Sequence, residues 1–295
     1  MSILLDDTNA IVIQGITGKM GRFSVRDIAD YGGRVVAGTS PRRAGAEVEG
    51  IPVFADMRTA VGETGADTAL VYVPPAGALD AMLEAIDAGC RLVVYPGDGL
   101  PVADAIAMRA AARRSGAVVV GPNTPGVISP GKAKLGFMPS FCYRPGSLGV
   151  ISRSGSLSYE VCNRLSRAGL GQSTVVGIGG DPVKGVNAAE AVAYFHDDPA
   201  TDAIVYLGEI GGGDEYDLAA YAAQPDAKPV AALVVGRSAP RGRKMGHASA
   251  LIDARADGHA AKIAALRAAG VCAAETLSQL VPEVERLVQP QAASA

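Results

Sequence analysis

The sequence predicts an α/β protein in which two doubly wound, mainly parallel sheets follow one another along the chain. Short β-branched apolar runs alternate with alanine-rich helical stretches, and one proline- and glycine-rich stretch interrupts this alternation. Near-continuous apolar runs are typical of parallel strands that are covered on both faces, and regular strand–helix alternation is typical of right-handed crossovers. The length of 295 residues agrees with two domains.

The first half of the chain contains five apolar runs that predict buried strands, with a helical stretch after each of the first four. The predicted strands are Ala10–Gln14, Arg34–Ala37, Thr68–Val73, Arg91–Tyr95 and Ala117–Val120. The predicted helices lie near Arg22–Asp30, Arg58–Val61, Ala78–Ala88 and Val102–Ser115. The proline- and glycine-rich stretch comes next, and we expect residues 123–146 to be a crossover segment between a first domain, residues 1–122, and a second.

The second half repeats the same alternation and predicts a second α/β domain over residues 147–288. Its predicted strands are Leu148–Ser152, Ser173–Ile178, Ala203–Leu207, Pro229–Val235 and Gly270–Ala273. Its predicted helices lie near Leu157–Ala168, Ala188–Phe195, Glu215–Ala222, Ala260–Ala269 and Leu277–Leu287. Residues 289–295 are expected to form a flexible tail.

Composition and charge exclude several classes of protein. Apolar residues make up 48% and charged residues 19%, which excludes a disordered chain, and a net charge of −3 gives no basic field for nucleic acid or an anionic membrane. The four cysteines form no CxxC pair, which favours unpaired thiols over a zinc site. Asp6 and Asp7 interrupt the apolar N-terminal run, and no apolar stretch reaches the ~18–20 residues of a membrane span, so we expect a cytoplasmic protein.

A glycine-rich turn, Gly15–Gly21, lies between the first predicted strand and its helix. Glycines spaced GxxGxxG let the backbone approach a phosphate, and the helix N-terminus supplies N–H groups and a positive dipole end. The second strand is followed by Arg42 and Arg43, with no acidic residue to hold a ribose diol. The pattern therefore disfavours NAD and leaves NADP and coenzyme A open, although two adjacent arginines are more often an ordinary solvated pair.

A second candidate anion site lies at the start of the second domain. Ser154, Gly155 and Ser156 follow the strand Leu148–Ser152 and precede a helix. Small hydroxyl residues at a helix N-terminus are common caps, and they also make an anion site. Both interpretations of this turn stay open.

One histidine lies in a setting that favours phosphate chemistry. His247 belongs to a basic, glycine- and proline-containing loop that carries Arg237, Arg241, Arg243 and Lys244. Glu209 follows a predicted parallel strand, which places its carboxylate at the solvent edge where ligands bind. Either residue alone would more often be an ordinary surface side chain.

Six motifs, in their order and spacing along nearly the whole chain, resemble the α subunit of the succinate–CoA ligase family. They are Gly15-Ile16-Thr17-Gly18, Gly121-Pro122-Asn123-Thr124-Pro125-Gly126, Ser152-Arg153-Ser154-Gly155, Gly177-Ile178-Gly179-Gly180-Asp181-Pro182, Gly208-Glu209-Ile210-Gly211-Gly212 and Met245-Gly246-His247-Ala248. The resemblance implies an N-terminal Rossmann-like CoA-binding domain followed by a flavodoxin-like domain. It implies an ADP- or GDP-forming acid–thiol ligase, with ATP or GTP and Mg²⁺ held by a separate ATP-grasp β subunit in a heterodimer or an α2β2 assembly.

The resemblance also implies roles for individual residues. His247 is the histidine that becomes phosphorylated, and we expect Glu209 to hold the other ring nitrogen of that histidine. The turn at Ser154, Gly155 and Ser156 is expected to bind the phosphoryl group. Positions that match the CoA site are Thr17, Gly18, Lys19, Met20, Arg43, Pro96, Gly97 and Asp98. Positions that match the surroundings of the small carboxylic acid substrate are Asn123, Thr124, Pro125 and Tyr159. No metal ligand, nucleic-acid partner or membrane partner is expected on this chain.

The chain departs from the family pattern at positions that bear on the acid it activates. Thr124 stands where the family typically has cysteine, Ser249 replaces a glycine, and the segments 137–143 and 252–258 differ. Succinate is the default acid, and malate or another small acid stays open. Two other classes also stay open: a two-domain NADP-dependent oxidoreductase, and a CoA-binding regulatory protein that has lost phosphoryl transfer. We hypothesise that the Thr124 hydroxyl bonds a hydroxyl or carboxylate of the substrate.

Overall fold

The structure, a computed structural model, describes residues 2–288, so the predicted tail at 289–295 lies outside the described residues. The described chain divides into two compact units. One unit runs through Ser140 and also contains Gly177–Val186, and the other contains Phe141–Val176 and the described chain from Asn187 onward. The domain boundaries given above stay predictions.

The first unit is built on a seven-stranded sheet with the strand order β3-β4-β2-β1-β5-β6-β7. Its strands are β1 (Ala10–Gln14), β2 (Arg34–Thr39), β3 (Glu47–Val48), β4 (Ile51–Phe54), β5 (Thr68–Val71), β6 (Leu92–Val94) and β7 (Val118–Val120). Its helices are α1 (Lys19–Asp30), α2 (Met57–Thr64), α3 (Pro75–Asp87) and α4 (Val102–Ser115). All strand pairs are parallel apart from the antiparallel β3–β4 pair.

The chain leaves the central strand β1 toward β2 on one side and later returns to β5 on the other. Such a reversal of strand order opens a crevice at the carboxyl ends of the strands, where ligands of α/β sheets bind. All five residues of β1 are buried, as expected for a strand covered on both faces. The fold therefore places the glycine-rich turn after β1 at the ligand-binding edge.

The predicted crossover segment contains regular structure that the sequence analysis did not predict. Strands β8 (Gly126–Ser129) and β9 (Ala133–Gly136) form an antiparallel hairpin. Gly126 has a φ of +116°, and a Cβ there would overlap the carbonyl oxygen of Leu135. The glycines of this stretch thus allow two strands to approach closely rather than only allowing turns.

In the second unit, consecutive neighbours in the sheet are β14-β13-β12-β10-β11. Its strands are β10 (Pro145–Ser152), β11 (Gln172–Gly177), β12 (Ala203–Glu209), β13 (Val230–Val235) and β14 (Cys272–Ala274). Its helices are α5 (Gly155–Arg167), α6 (Ala188–Asp197), α7 (Asp214–Ala222), α8 (His259–Ala268) and α9 (Leu277–Val288). The central strand β12 pairs in parallel with β10 and β13.

Strand β12 extends to Glu209, two residues beyond the predicted end at Leu207. Its seven residues are all buried, including Glu209 itself. Within residues 2–288, no helix combines the length and the apolar character that crossing a membrane would require.

Candidate active site

The last residue of β12 holds the loop histidine. Glu209 Oε2 lies 2.8 Å from His247 Nδ1, and 27% of the His247 side chain is exposed. A carboxylate at this distance favours the tautomer that carries its proton on Nδ1 and its lone pair on Nε2. The structure therefore brings together the two residues that the sequence analysis singled out as catalytic.

The position of Glu209 differs from the expected solvent edge, because the residue is only 6% exposed. A carboxylate this buried needs nearby cations or hydrogen-bond donors. Those cations come from residues that the sequence analysis did not assign. We call the set of Arg153, Glu209, Asp214, Glu215 and Lys262 the charge cluster.

Arg153 is the centre of the charge cluster and is about 1% exposed. Its Nη2 lies 3.0 Å from Glu209 Oε1, and its Nε lies 3.6 Å from Asp214 Oδ2. Its Nη1 donates to the carbonyl oxygen of Gly211 at 2.7 Å. Burial lowers the pKa of Arg153, but the surrounding acidic groups, with Glu215 and Glu209 foremost among the carboxylates, raise the pKa by more. The guanidinium therefore stays charged against Glu209.

Lys262, on α8, supports the end of β12 and the residues that follow it from inside the protein. Its Nζ donates to the carbonyl oxygens of Glu209 at 3.0 Å and Gly211 at 2.7 Å, and it forms a fully buried ion pair with Glu215. Glu215 Oε1 in turn accepts from the backbone N–H of Glu209 at 3.1 Å. Burial lowers the pKa of Lys262, while Glu215 acts in the opposite direction. These contacts fix the backbone of Glu209 from two sides.

Sequence reasoning missed the charge cluster because charged residues are expected at the surface. Two signals could have indicated it. Arg153 directly follows a strand whose last five residues are buried, and Lys262 stands next to Ile263 on a helix that is otherwise rich in alanine. Both positions place a cation where the pattern predicts an apolar side chain.

The His247 loop is closed on itself by backbone hydrogen bonds. Met245 N–H donates to Ala250 O at 2.9 Å, and Ala250 N–H donates to His247 O at 3.1 Å. Ala250 and Ile252 pack with Ile210 in a small apolar cluster, which anchors the loop beside the end of β12. The histidine is therefore presented by a compact turn.

The turn predicted to bind phosphate begins α5. Ser154 is the N-cap residue, and its Oγ accepts from Leu157 N–H at 3.4 Å. Ser156 is exposed in the first turn of the helix. The capping interpretation holds for Ser154, and a role of Ser154, Gly155 and Ser156 in binding phosphate stays a prediction.

The turn predicted to bind CoA leads from β1 into α1. Gly15 has a φ of +78°, and a Cβ there would lie 2.8 Å from the carbonyl oxygen of Tyr72. Gly18 is the N-cap residue without a side-chain cap, and the first turn contains no acidic residue. Lys19 and Met20 are exposed in this turn. A backbone without side chains and an uncapped helix N-terminus fit a phosphate of CoA.

The other positions predicted for CoA follow neighbouring strands of the same sheet. Thr17 Oγ1 donates to Ser40 Oγ at 3.3 Å, which joins the turn to the segment after β2, where Arg43 is exposed. Pro96, Gly97 and Asp98 follow β6. All of them therefore lie at the carboxyl edge of the sheet, and their contact with CoA stays a prediction.

The loop at Asn123, Thr124 and Pro125 is held rigidly within the first unit. Asn123 has a φ of +56°, its N–H donates to Gly97 O at 2.8 Å, and its Nδ2 donates to Asp181 Oδ1 at 2.9 Å. Thr124 is 4% exposed, and its hydroxyl donates to Gly177 O and accepts from Gly126 N–H. Because backbone groups use this hydroxyl, the geometry does not support the hypothesis that it bonds the substrate.

Tyr159 lies on α5 in the second unit and is half-buried. Burial raises the pKa of its phenol to about 12. Its role near the acid substrate stays a prediction. Among the described residues, no group of three or more His, Cys, Asp or Glu side chains is arranged to hold a metal ion.

Comparison with known proteins identifies the two halves. The family described as CoA binding domain matches residues 6–96, and the family described as succinyl-CoA ligase like flavodoxin domain matches residues 145–287. The chain is 46% identical to succinate–CoA ligase [ADP-forming] subunit alpha 1 of Archaeoglobus fulgidus, over 98% of this chain and 99% of the relative. This chain belongs to the succinate–CoA ligase alpha-subunit family. The predicted fold class, a CoA-binding domain followed by a flavodoxin-like domain, is confirmed.

Two other proteins that resemble this chain are named for acids other than succinate. The chain is 44% identical to the malate–CoA ligase subunit alpha of Methylorubrum extorquens, over 93% of this chain and 94% of that one. It also resembles the structure of ATP citrate lyase from Methanothrix soehngenii in complex with citrate and coenzyme A, with a TM-score of 0.87 and 26% identity. The match covers 97% of this chain, which spans half the length of the lyase chain. The prediction of an enzyme subunit of the succinate–CoA ligase family is confirmed.

Proposed function

We propose that this chain is the alpha subunit of an ADP-forming ligase that joins a small dicarboxylate, succinate by default, to CoA through a phosphohistidine at His247. The observation that carries the proposal is the 2.8 Å contact between His247 Nδ1 and Glu209 Oε2. A histidine whose Nδ1 proton is held by a carboxylate presents the lone pair of Nε2 to an electrophile. The same carboxylate stabilises the positive charge that develops on the ring as Nε2 forms a bond.

A thiol does not displace oxygen from a carboxylate directly, so the acid must first gain a leaving group. In the proposed sequence, Nε2 of His247 takes the γ-phosphoryl group of ATP and ADP leaves. A carboxylate oxygen of the acid then takes the phosphoryl group from His247, which gives an acyl phosphate. The sulfur of CoA attacks the carbonyl carbon as the thiolate, and inorganic phosphate leaves with the former carboxylate oxygen.

The charge cluster surrounds the buried carboxylate of Glu209 with nitrogen atoms. Arg153 faces Oε1 while His247 faces Oε2, so each oxygen of the carboxylate has a nitrogen within about 3 Å. Lys262 and Glu215 fix the backbone of Glu209. The chain's own contribution is therefore a preorganised carboxylate that orients the ring and balances its charge.

We assign the CoA site to this chain and the nucleotide site to a partner chain. In the first unit, the turn at Thr17, Gly18, Lys19 and Met20 would hold a phosphate of CoA. The alpha-subunit relatives imply a partner chain, and we propose that a β subunit with an ATP-grasp domain binds the nucleotide and Mg²⁺. Whether that assembly is a heterodimer or α2β2 belongs to the same proposal.

Malate is the second candidate acid, and a specific observation favours it. The chain is as similar to a malate–CoA ligase alpha subunit, at 44% sequence identity, as to the succinate–CoA ligase alpha subunit of Aquifex aeolicus.

The two alternatives of another class have less support. Full-length relatives that are CoA ligase subunits do not favour an NADP-dependent oxidoreductase, and the intact His247–Glu209 pair does not favour an inactive regulatory protein.

The test uses the chain together with its β subunit and ATP labelled in the γ-phosphate. We expect acid-labile, base-stable label on this chain, and we expect His247→Asn to abolish both the label and thioester formation. His196→Asn serves as the matched control, because His196 contacts Tyr221 on a different part of the unit and should keep full labelling. Label that persists in His247→Asn would refute the proposal.

A second experiment identifies the acid. The wild-type complex is assayed with succinate, malate and other small acids, and the substrate is the acid with the highest kcat/KM.

A further inference from the structure

The His247 loop is fastened to the charge cluster two residues after the histidine. Arg153 Nη2 donates to Ser249 Oγ at 2.6 Å. The same nitrogen lies 3.0 Å from Glu209 Oε1. One terminal nitrogen of a buried guanidinium therefore contacts both the carboxylate that orients His247 and the loop that carries His247.

Two other sets of contacts hold the loop in a different way. Ala250 and Ile252 pack against Ile210, and this apolar contact is not directional. The backbone bonds within the loop hold its shape rather than its place on the protein. The bond from Arg153 to Ser249 is directional and charge-assisted. It ties the loop to the same guanidinium group that contacts Glu209.

We propose that Ser249 and Arg153 form a latch that fixes the position of His247 against Glu209, which makes Ser249 a positioning residue for phosphoryl transfer at His247. This inference rests on the proposed function. Ser249 acts through the loop and does not itself touch the reacting atoms. A displacement of the ring by a fraction of an ångström from Glu209 would weaken the tautomer preference and slow attack by Nε2.

Ser249→Ala removes the hydroxyl and leaves the backbone unchanged, and Ser249→Thr keeps a hydroxyl that can accept from Arg153. Ser238→Ala is the matched control, because Ser238 is an exposed serine of the segment that follows β13. In complex with the β subunit, we expect Ser249→Ala to slow labelling of His247 about tenfold, the order of effect of one good hydrogen bond to a charged group. We expect the threonine variant to label within about twofold of the wild type, because it keeps that bond, and Ser238→Ala to label at the wild-type rate.

A second measurement separates this proposal from the proposed function, because it needs no turnover. In the full-length chain labelled with ¹⁵N-histidine, NMR reports how much of His247 carries its proton on Nδ1. We expect this fraction to fall in Ser249→Ala and to recover in Ser249→Thr, while the melting temperature of Ser249→Ala stays close to that of Ser238→Ala.

The outcomes are decisive in each case. An unchanged tautomer fraction in Ser249→Ala, a wild-type labelling rate in that variant, or an equal loss in Ser249→Thr would overturn the latch. If the wild-type complex takes no label at all, the proposed function fails, and the tautomer measurement alone then decides whether Ser249 positions His247. Arg153→Lys, which keeps the charge and loses the planar fork, is expected to lower the tautomer fraction in the same direction.

Discussion

Gly211 lies against the main chain of Ser249, with no space for a side chain between them. A Cβ on Gly211 would overlap the carbonyl oxygen of Ser249, and Gly211 has a φ of +77°, which favours glycine. This contact brings the loop after β12 and the His247 loop together at backbone distance. The geometry of the candidate active site therefore depends on a residue that has no functional group.

The first prediction concerns this contact. Gly211→Ala should destabilise the fold by on the order of 1–3 kcal/mol, because it adds both a clash and an unfavourable φ. It should also slow labelling of His247, since the loop must move away from Glu209. Gly213→Ala is the control, because a Cβ at Gly213 would meet no atom within 4 Å. Urea unfolding and the labelling rate of both variants test this, and equal behaviour of the two variants would contradict it.

The second prediction concerns CoA. Arg43 is exposed after β2, at the edge of the sheet where the turn at Thr17 also lies. Arg43→Glu should weaken CoA binding, and the loss should shrink as salt increases, because exposed charges are screened within about 10 Å at 0.1 M salt. Calorimetry with CoA at two salt concentrations measures this effect. Arg58→Glu, an exposed arginine at the start of α2, should leave CoA affinity unchanged, and an equal loss in both variants would count against Arg43.

The third prediction separates stability from substrate choice at Thr124. The hydroxyl of Thr124 bonds the carbonyl of Gly177 and the N–H of Gly126 in a buried site. Thr124→Val should therefore lower the free energy of unfolding by about 1–3 kcal/mol, the cost of leaving buried polar groups without partners. The order of kcat/KM across a panel of small acids should stay the same. A reordered panel with unchanged stability would instead restore the hypothesis that Thr124 contacts the substrate.

The fourth prediction concerns pH. Burial lowers the pKa of His259 below its usual value of 6.5; Arg237 acts in the same direction and Glu275 opposes it. Below pH 6.5 the unfolded chain therefore binds a proton at this position that the folded chain resists, so the folded state loses stability until the pH reaches the lowered pKa. His259→Gln should show a smaller decrease in the free energy of unfolding over that range. Denaturant titrations of both proteins at several pH values measure the difference, and parallel curves would contradict the assignment.

The parts of the fold that the sequence predicts best are those where one physical signal dominates. Strand Ala10–Gln14 and helix Val102–Ser115 were predicted with the bounds that the structure shows. An uninterrupted apolar run indicates the first, and an alanine-rich stretch that ends at a glycine indicates the second. Signals of this kind are local, so tertiary contacts are not needed to interpret them.

The missed parts depend on contacts that are distant in the sequence. The hairpin of β8 and β9 contains glycines and lies beside several prolines, which by local rules indicate turns and linkers. Its strands form because Gly126 and Gly136 face one another without side chains. The pairing of His247 with Glu209 could be predicted from the family motifs, whereas the support of Glu209 by Arg153 and Lys262 could not. A buried cation is stable only beside its partner, and no local pattern reveals that partner.

Two exposed basic residues, one before and one after His247 in the sequence, have a consequence for proteolysis. Lys244 and Arg255 are both exposed, and they bracket an eleven-residue fragment, Met245–Arg255, in which His247 is the sole histidine. If trypsin cuts the native chain after these two residues alone, it excises this fragment and leaves a two-chain form, with Glu215 in the N-terminal piece and Lys262 in the C-terminal piece. Their buried ion pair would then help to hold the two pieces together after the reactive residue has been cut out.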